Sequence, residues 1–178
     1  MILARSRITL MGLCLLLPTL ALAADPEITW PPGWDVEVLP AAPEASVQMR
    51  QRAVKNDQAG NPEMVMELTQ TRLTPGHEVN VQGVLLEMRK AIQVNFARSG
   101  LQSACTPVRE TTLSTVPALE TTCSITQNGV HVLTQTLVAA AGKELAWSLS
   151  YAGSAQGYAA NKEQALRIRQ TMKLQNVP

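Results

Sequence analysis

The chain is poor in aromatic side chains, with three Trp, two Tyr and one Phe among 178 residues. A core made from it must be filled mainly by aliphatic residues and methionine. Histidine is scarcer still. His77 falls in a turn and His131 opens a strand behind Asn128-Gly129, and both positions suit surface residues. A histidine–serine couple with Ser148 or Ser150 lacks the Gly-x-Ser-x-Gly turn that presents a nucleophile. His-Glu-x-x-His, Cys-x-x-Cys, calcium-loop, Gly-x-Gly-x-x-Gly and Walker patterns are all missing. Asp57 and Asn61 flank a glycine without the other ligands of a calcium loop, and no two carboxylates are placed by spacing as a glycosidase pair. The sequence therefore assigns no catalytic residue, no metal ligand and no cofactor, and the expectation is a protein that is not an enzyme.

Long apolar runs are also missing, apart from the first 23 residues. Arg5 and Arg7 precede an apolar stretch from Ile8 to Leu22, and Ala21-Leu22-Ala23 supplies small residues where a signal peptidase reads. This pattern predicts a secretory signal peptide, residues 1–23, cleaved after Ala23. The alternative, a retained anchor, is opposed by length: the run holds about 15 residues, against roughly 20 for a span, and Pro18 interrupts it. Cys14 lies inside the run behind Leu13, unlike a lipid-attachment cysteine. The expected location is the periplasm, with no membrane segment left after cleavage.

Charge of one sign is lacking too. Without Arg5 and Arg7, 13 basic residues face 14 acidic ones, a net charge of about −1. With no basic stripe, nothing points to nucleic acid or to an anionic membrane. Two cysteines remain, Cys105 and Cys123, an even count that in an exported chain predicts a disulfide. Closing a loop of about 19 residues contributes about 3 kcal/mol in the chain-entropy account. A redox or metal-binding pair fits less well, since no histidine is close in sequence.

What the chain does have is one long amphipathic stretch, from about Val79 to Ser99. Val81, Val84, Leu85, Met88, Ile92 and Phe96 recur at steps of three and four, with Gly100 behind them to end a helix. Leu86 and Val94 suggest a wide buried face, and Asn80 or Thr74-Pro75 is the candidate cap. Ala24 to Thr29 reads as a flexible tail. Trp34, Val36 and Val38 mark a short first strand behind Pro31-Pro32-Gly33. Val47–Val54 and Met64–Leu73 alternate around Asn56–Pro62, a hairpin in which the best-centred register of the one allowed parity sets Arg52 opposite Glu67 and Arg50 opposite Thr69. Arg52–Glu67 is then the expected cross-strand ion pair.

After the helix come strands at Leu101–Val108, Val116–Thr126 and His131–Ala140, with Asn128-Gly129 as a hairpin turn. Leu145, Trp147, Leu149 and Tyr151 share one face of a further strand. Ala146, Ser148 and Ser150 share the other, and such small residues suggest a close covering element or a shallow groove. Tyr158–Met172 reads as a closing helix with Ala165, Ile168 and Met172 inward. Met49, Met64, Met66, Met88 and Met172 fall on inner faces. The fold class is α+β: an antiparallel sheet of about six or seven strands covered by a long central helix and a C-terminal helix. One domain spans 30–174, and 175–178 is a tail.

This order of elements resembles the PsbP-like architecture, shared by DcrB-like periplasmic proteins. The resemblance rests on Pro32-Gly33-Trp34 entering the first strand, the hairpin, the covering helix, the meander and the strand–helix run from Leu145 to Leu174. More narrowly, the chain resembles a family of exported Gram-negative proteins known as a domain of unknown function. The resemblance implies adaptor or assembly work without catalysis and defines no site residues. The expected function is a non-catalytic interaction or envelope-assembly module with a protein partner in the cell envelope. The candidate surface is Trp30, Trp34, Arg50, Arg52 and Tyr158, with the loops at Trp30–Trp34 and Ser154–Gly157. The favoured alternative is that Trp34, with Trp30, plugs the open end of an aromatic-poor core and that the arginines belong to a solvated sheet face. The second expectation is a carrier of a small apolar or lipid ligand between helix and sheet, which needs a cavity of about 300 Å³ or more there.

Overall fold

The computed structural model describes residues 26–40 and 46–174. The signal peptide expected at 1–23 and the 175–178 tail lie outside the described residues. The chain runs β1 (Trp34–Leu39), β2 (Val47–Asn56), β3 (Pro62–Arg72), α1 (Val81–Arg98), β4 (Gln102–Cys105), β5 (Arg109–Leu113), β6 (Val116–Gln127), β7 (Val130–Ala141), β8 (Leu145–Ser154) and α2 (Ala155–Thr171). All eight strands form one antiparallel sheet in the order β1-β2-β3-β8-β7-β6-β4, with β5 pairing farther along β6. The α+β class holds, with one strand more than expected. β5 was hidden because it turns into β6 through Ser114, at φ 56°, without a glycine to mark the turn.

Alternation along β7 separates two layers. Val138 and Ala140 join the large core with Met64, Met66, Leu68, Leu149, Trp147 and α2 residues Ala165 and Ile168. Leu137 and Ala139 point to the other face and meet Leu85 of α1. The two helices thus lie on opposite faces of the sheet. Asn80 caps α1, its side chain accepting from the Gly83 N–H at 2.9 Å, and Gly100 ends it at φ +74°. The wide apolar face expected of α1 is not what forms. Only Leu85 is fully buried, with Val81, Met88 and Ile92 partly so, whereas Val84 and Val94 are 43% and 42% exposed. The reason is that α1 rests on β4, β6 and β7 alone, a narrow seam.

The hairpin register is as expected: Arg52 pairs with Glu67 and Arg50 with Thr69. The ion pair is corrected. Glu67 reaches diagonally to Arg50, at 2.7 Å, instead of straight across to Arg52. The tail expected over 24–29 is corrected for its described part. Glu27 pairs with Lys173 through two backbone hydrogen bonds and an ion pair of 3.0 Å, and Ile28 packs on the large core. Cys105 stands opposite Cys123 in the β4–β6 register and the two form the disulfide.

The passage from β8 into α2 is crowded. A Cβ on Gly153 would lie 2.3 Å from the Glu63 carbonyl oxygen, and one on Gly157 would lie 2.4 Å from it. Glycine lets the first turn of α2 sit directly on β3, while Ser154 caps that turn by accepting from the Gly157 N–H at 2.9 Å. Gly157→Ala is expected to cost about 1–3 kcal/mol through overpacking. Urea denaturation reads it as a lowered midpoint, and an unchanged midpoint would show that α2 stands farther from β3.

Candidate functional site

Since α1 covers only β4, β6 and β7, its face of the sheet is left open over β2, β3 and β8. Along β8 this open half presents Ala146, Ser148, Ser150 and Ala152, all half-buried. Thr71, Thr69, Glu67 and Val65 of β3 stand directly opposite them in register. On the other side, Ser148 and Ser150 pair with Ala139 and Leu137, the residues beneath α1. The result is a shallow trough at the foot of α1. Its floor is small and hydroxyl-bearing, and its outer rim is the Arg50–Glu67 ion pair with exposed Arg52 beyond. Such a floor offers donors and acceptors with little steric obstruction, suited to a partner's backbone or polar side chains. Of the two expectations for the small residues of β8, a close covering element or a shallow groove, the first is not met: among the described residues neither helix covers this half of the face.

The expected surface residues divide between the two faces. Arg50 and Arg52 belong to the open half. Trp30, Trp34 and Tyr158 do not, and are corrected. Trp34 is buried against Trp30, with ring centroids 5.6 Å apart, and its Nε1 donates to Gln164 Oε1 at 3.1 Å. Trp30 is half-buried with its indole N–H sequestered, packed on the large core. Tyr158 is buried and stacked on Tyr151. The N-terminal segment and α2 cover that side of the sheet, so the tryptophans plug the core. Ser154–Gly157 is not a loop: β8 runs through Ser154 and α2 starts at Ala155.

Tyr158 lies in a buried polar chain. Its hydroxyl is 2.6 Å from Thr136 Oγ1, which is 2.8 Å from Thr122 Oγ1. Burial pushes the Tyr158 hydroxyl up to about 12 from its ordinary 10.0, against the opposing pull of the hydrogen bond to Thr136. In the unfolded chain this group ionises near its ordinary value. Above that pH the unfolded state has released a proton that the folded state keeps. Stability that is intact below pH 10 is therefore expected to fall as pH rises toward 12. Tyr158→Phe should flatten this limb of the stability profile, and an unaltered slope would assign it to another group.

His77 and His131 are both exposed, and His131 Nε2 lies 3.0 Å from the Leu133 carbonyl oxygen and 2.9 Å from Thr134 Oγ1. Among the described residues no three His, Cys, Asp or Glu gather to hold a metal, and no helix is long and apolar enough to cross a membrane. A concavity of about 540 Å³ opens at the β2–β3 turn, lined by Asn56, Asp57, Gln58, Ala59 and Glu63. It is polar and lies on elements that α1 does not touch. Beneath α1, Leu85 packs directly on Leu137 and Ala139. In the turn itself, the Asn61 side-chain and backbone donors hold the Asp57 carboxyl below its ordinary value.

One buried group escaped the sequence altogether. Glu120 accepts from Arg169 Nη1 on one oxygen and from Arg109 Nε, at 2.6 Å, on the other. Arg169 also donates twice to the Thr112 carbonyl, at 2.9 and 2.8 Å. Spacing gave no signal for a cluster drawn from β5, β6 and α2.

An antiparallel sheet with one helix on each face is the arrangement of the PsbP-like α+β proteins, and solved structures bear this out. Cyanobacterial PsbP from Synechocystis sp. PCC 6803 aligns with a TM-score of 0.60 at 6% identity, over 84% of this chain and 86% of that one. LpqN of Mycobacterium tuberculosis, described as involved in cell envelope biogenesis, aligns at 0.54 and 16% identity, over 84% and 83%. At these identities the likeness is one of fold. The chain itself belongs to the DUF4946 family, a domain of unknown function, whose model matches residues 25–174. No curated protein matches it in sequence.

Proposed function

We propose that this protein is a non-catalytic interaction module of the cell envelope, exported to the periplasm and binding a protein partner on the open half of its sheet. The observation that carries the reading is the trough of Ser148, Ser150, Thr69 and Thr71, which α1 stops short of covering. A half-buried hydroxyl-lined strip flanked by charge is a surface kept available for polar contacts. Three further observations support the setting. A leader-like N-terminus precedes the domain, a disulfide suits an oxidising compartment, and LpqN, of like fold, is described as involved in cell envelope biogenesis.

The test is affinity capture of the tagged chain from periplasmic extract, with mass spectrometry of proteins and small molecules. A Ser148→Arg/Ser150→Arg variant fills the trough beside the α1 core, and a cooperative thermal transition confirms that it folds. A protein enriched with the wild type and lost with the variant is the expected result. Equal enrichment with both, or a co-eluting lipid and no protein, contradicts the reading.

A further inference from the structure

Among the described residues β1 pairs only with β2, so β1 is an edge of the sheet. Alternate N–H and C=O groups of an edge strand face outward, and proteins usually blunt such edges with brevity, proline, lysine or a bulge. The opposite edge is blunted in this way: β4 has four residues, β5 has five, and Pro107 lies between them. β1 is blunted less: its charges are Asp35 and Glu37, and its proline, Pro40, lies beyond its last residue. Its six residues, without proline or lysine, pair with β2 in unbroken register. Val36 and Val38, 43% and 69% exposed, line one face of it, and exposed Asp35 and Glu37 line the other. α2 meets β1 at Trp34, through the hydrogen bond to Gln164, and among the described residues neither helix reaches the rest of the strand.

We propose that β1 accepts an extended segment of a partner protein as a further strand, and that this segment alternates apolar with lysine or arginine residues. Pairing to the edge supplies backbone hydrogen bonds, and the side chains set the sequence preference. Apolar residues of the incoming strand cover Val36 and Val38, while its cations stand beside Asp35 and Glu37. A second copy of this chain is disfavoured. A two-fold dimer pairs residues of the same face, and the two longest such registers of β1 with itself place Glu37 opposite Asp35 or opposite Glu37; like charges directly opposed destabilise a sheet. The inference rests on the reading of the protein as an interaction module and specifies the partner's chemistry.

The test titrates three short fluorescent peptides into the chain beginning at Ala24 and follows anisotropy. One alternates valine and lysine, one alternates valine and glutamate, and the third is the first methylated on alternate backbone nitrogens. The valine–lysine peptide is expected to bind and its methylated form to fail. Asp35→Lys/Glu37→Lys is expected to weaken the lysine peptide about tenfold and to favour the glutamate peptide by a similar factor. Both positions are exposed, but Glu37 stands opposite Arg52 and Asp35 accepts from Asn56 Nδ2 at 2.9 Å, so some loss of stability is expected and a single cooperative thermal transition confirms that the variant folds. Binding indifferent to methylation, a preference that survives the charge reversal, or no binding by any peptide overturns the proposal. So does a dimer in sedimentation that Val38→Lys abolishes, which names a second copy instead. Although Glu37 stands opposite Arg52 at the rim of the trough, the capture experiment tests the trough itself separately, through positions 148 and 150 on β8.

Discussion

Arg169→Ala is expected to destabilise the protein by about 3–5 kcal/mol, the range for removing one partner of a buried ion pair. The side chains of Arg169 and Glu120 are each 6% exposed, so water compensates little for the loss. What remains for Glu120 is Arg109, a side chain 68% exposed and held by no second buried partner. The substitution also removes two hydrogen bonds to the Thr112 carbonyl, and with them the tie between the last turns of α2 and β5. The loss should appear as a lower urea midpoint with an unchanged slope. Arg169→Met combined with Glu120→Leu should recover at least half of it, because an apolar pair leaves no uncompensated charge behind. A double variant as damaged as the sum of the singles would mean that the cluster acts through shape alone.

Trp147→Ala is the second large effect, again expected at about 3–5 kcal/mol. Trp147 is 2% exposed at the centre of the face that α2 covers. It is one of six aromatic residues in the chain, so few neighbours are bulky enough to collapse into the space. Its Nε1 donates to Gln70 Oε1 at 3.0 Å, and Gln70 is 1% exposed. Truncation therefore leaves both a cavity and a buried acceptor without its donor. Trp147→Phe shifts the balance: it loses the hydrogen bond and only the smaller part of the volume, so about 1–3 kcal/mol is expected. Equal midpoints for the Ala and Phe variants would show that packing contributes little there.

The periodic parts of this fold were legible before any coordinates. Parity excluded a slip of one residue, which would have turned Met66 and Leu68 to water, and the best-centred register of that parity set Arg52 opposite Glu67. The inward set Ala165, Ile168 and Met172 followed from helical spacing and is buried. Spacing could not say how far a neighbour extends. Val84 belongs to the stripe of α1 yet stands outside the seam, because the helix lies over three strands rather than across the sheet. Tyr158 as a surface residue fails for the same reason, since α2 and residues 26–33 occupy that face, whereas the tryptophans follow the reading as core plugs. The trough was half-legible: the small residues of β8 signalled it, and only the placement of α1 decided between a cover and a groove. The Glu120–Arg169 cluster had no local signature, since its members come together only when three distant elements pack.

The exposed half of the α1-side face is the feature on which the functional account depends, and site-specific photo-crosslinking in intact cells tests it most directly. A photo-reactive residue at Ser150, on the trough floor, is compared with one at Lys162, exposed on α2 across the sheet. The account predicts a discrete protein adduct from position 150 and none from position 162. The same adducts from both positions, or a lipid adduct alone from position 150, would contradict it.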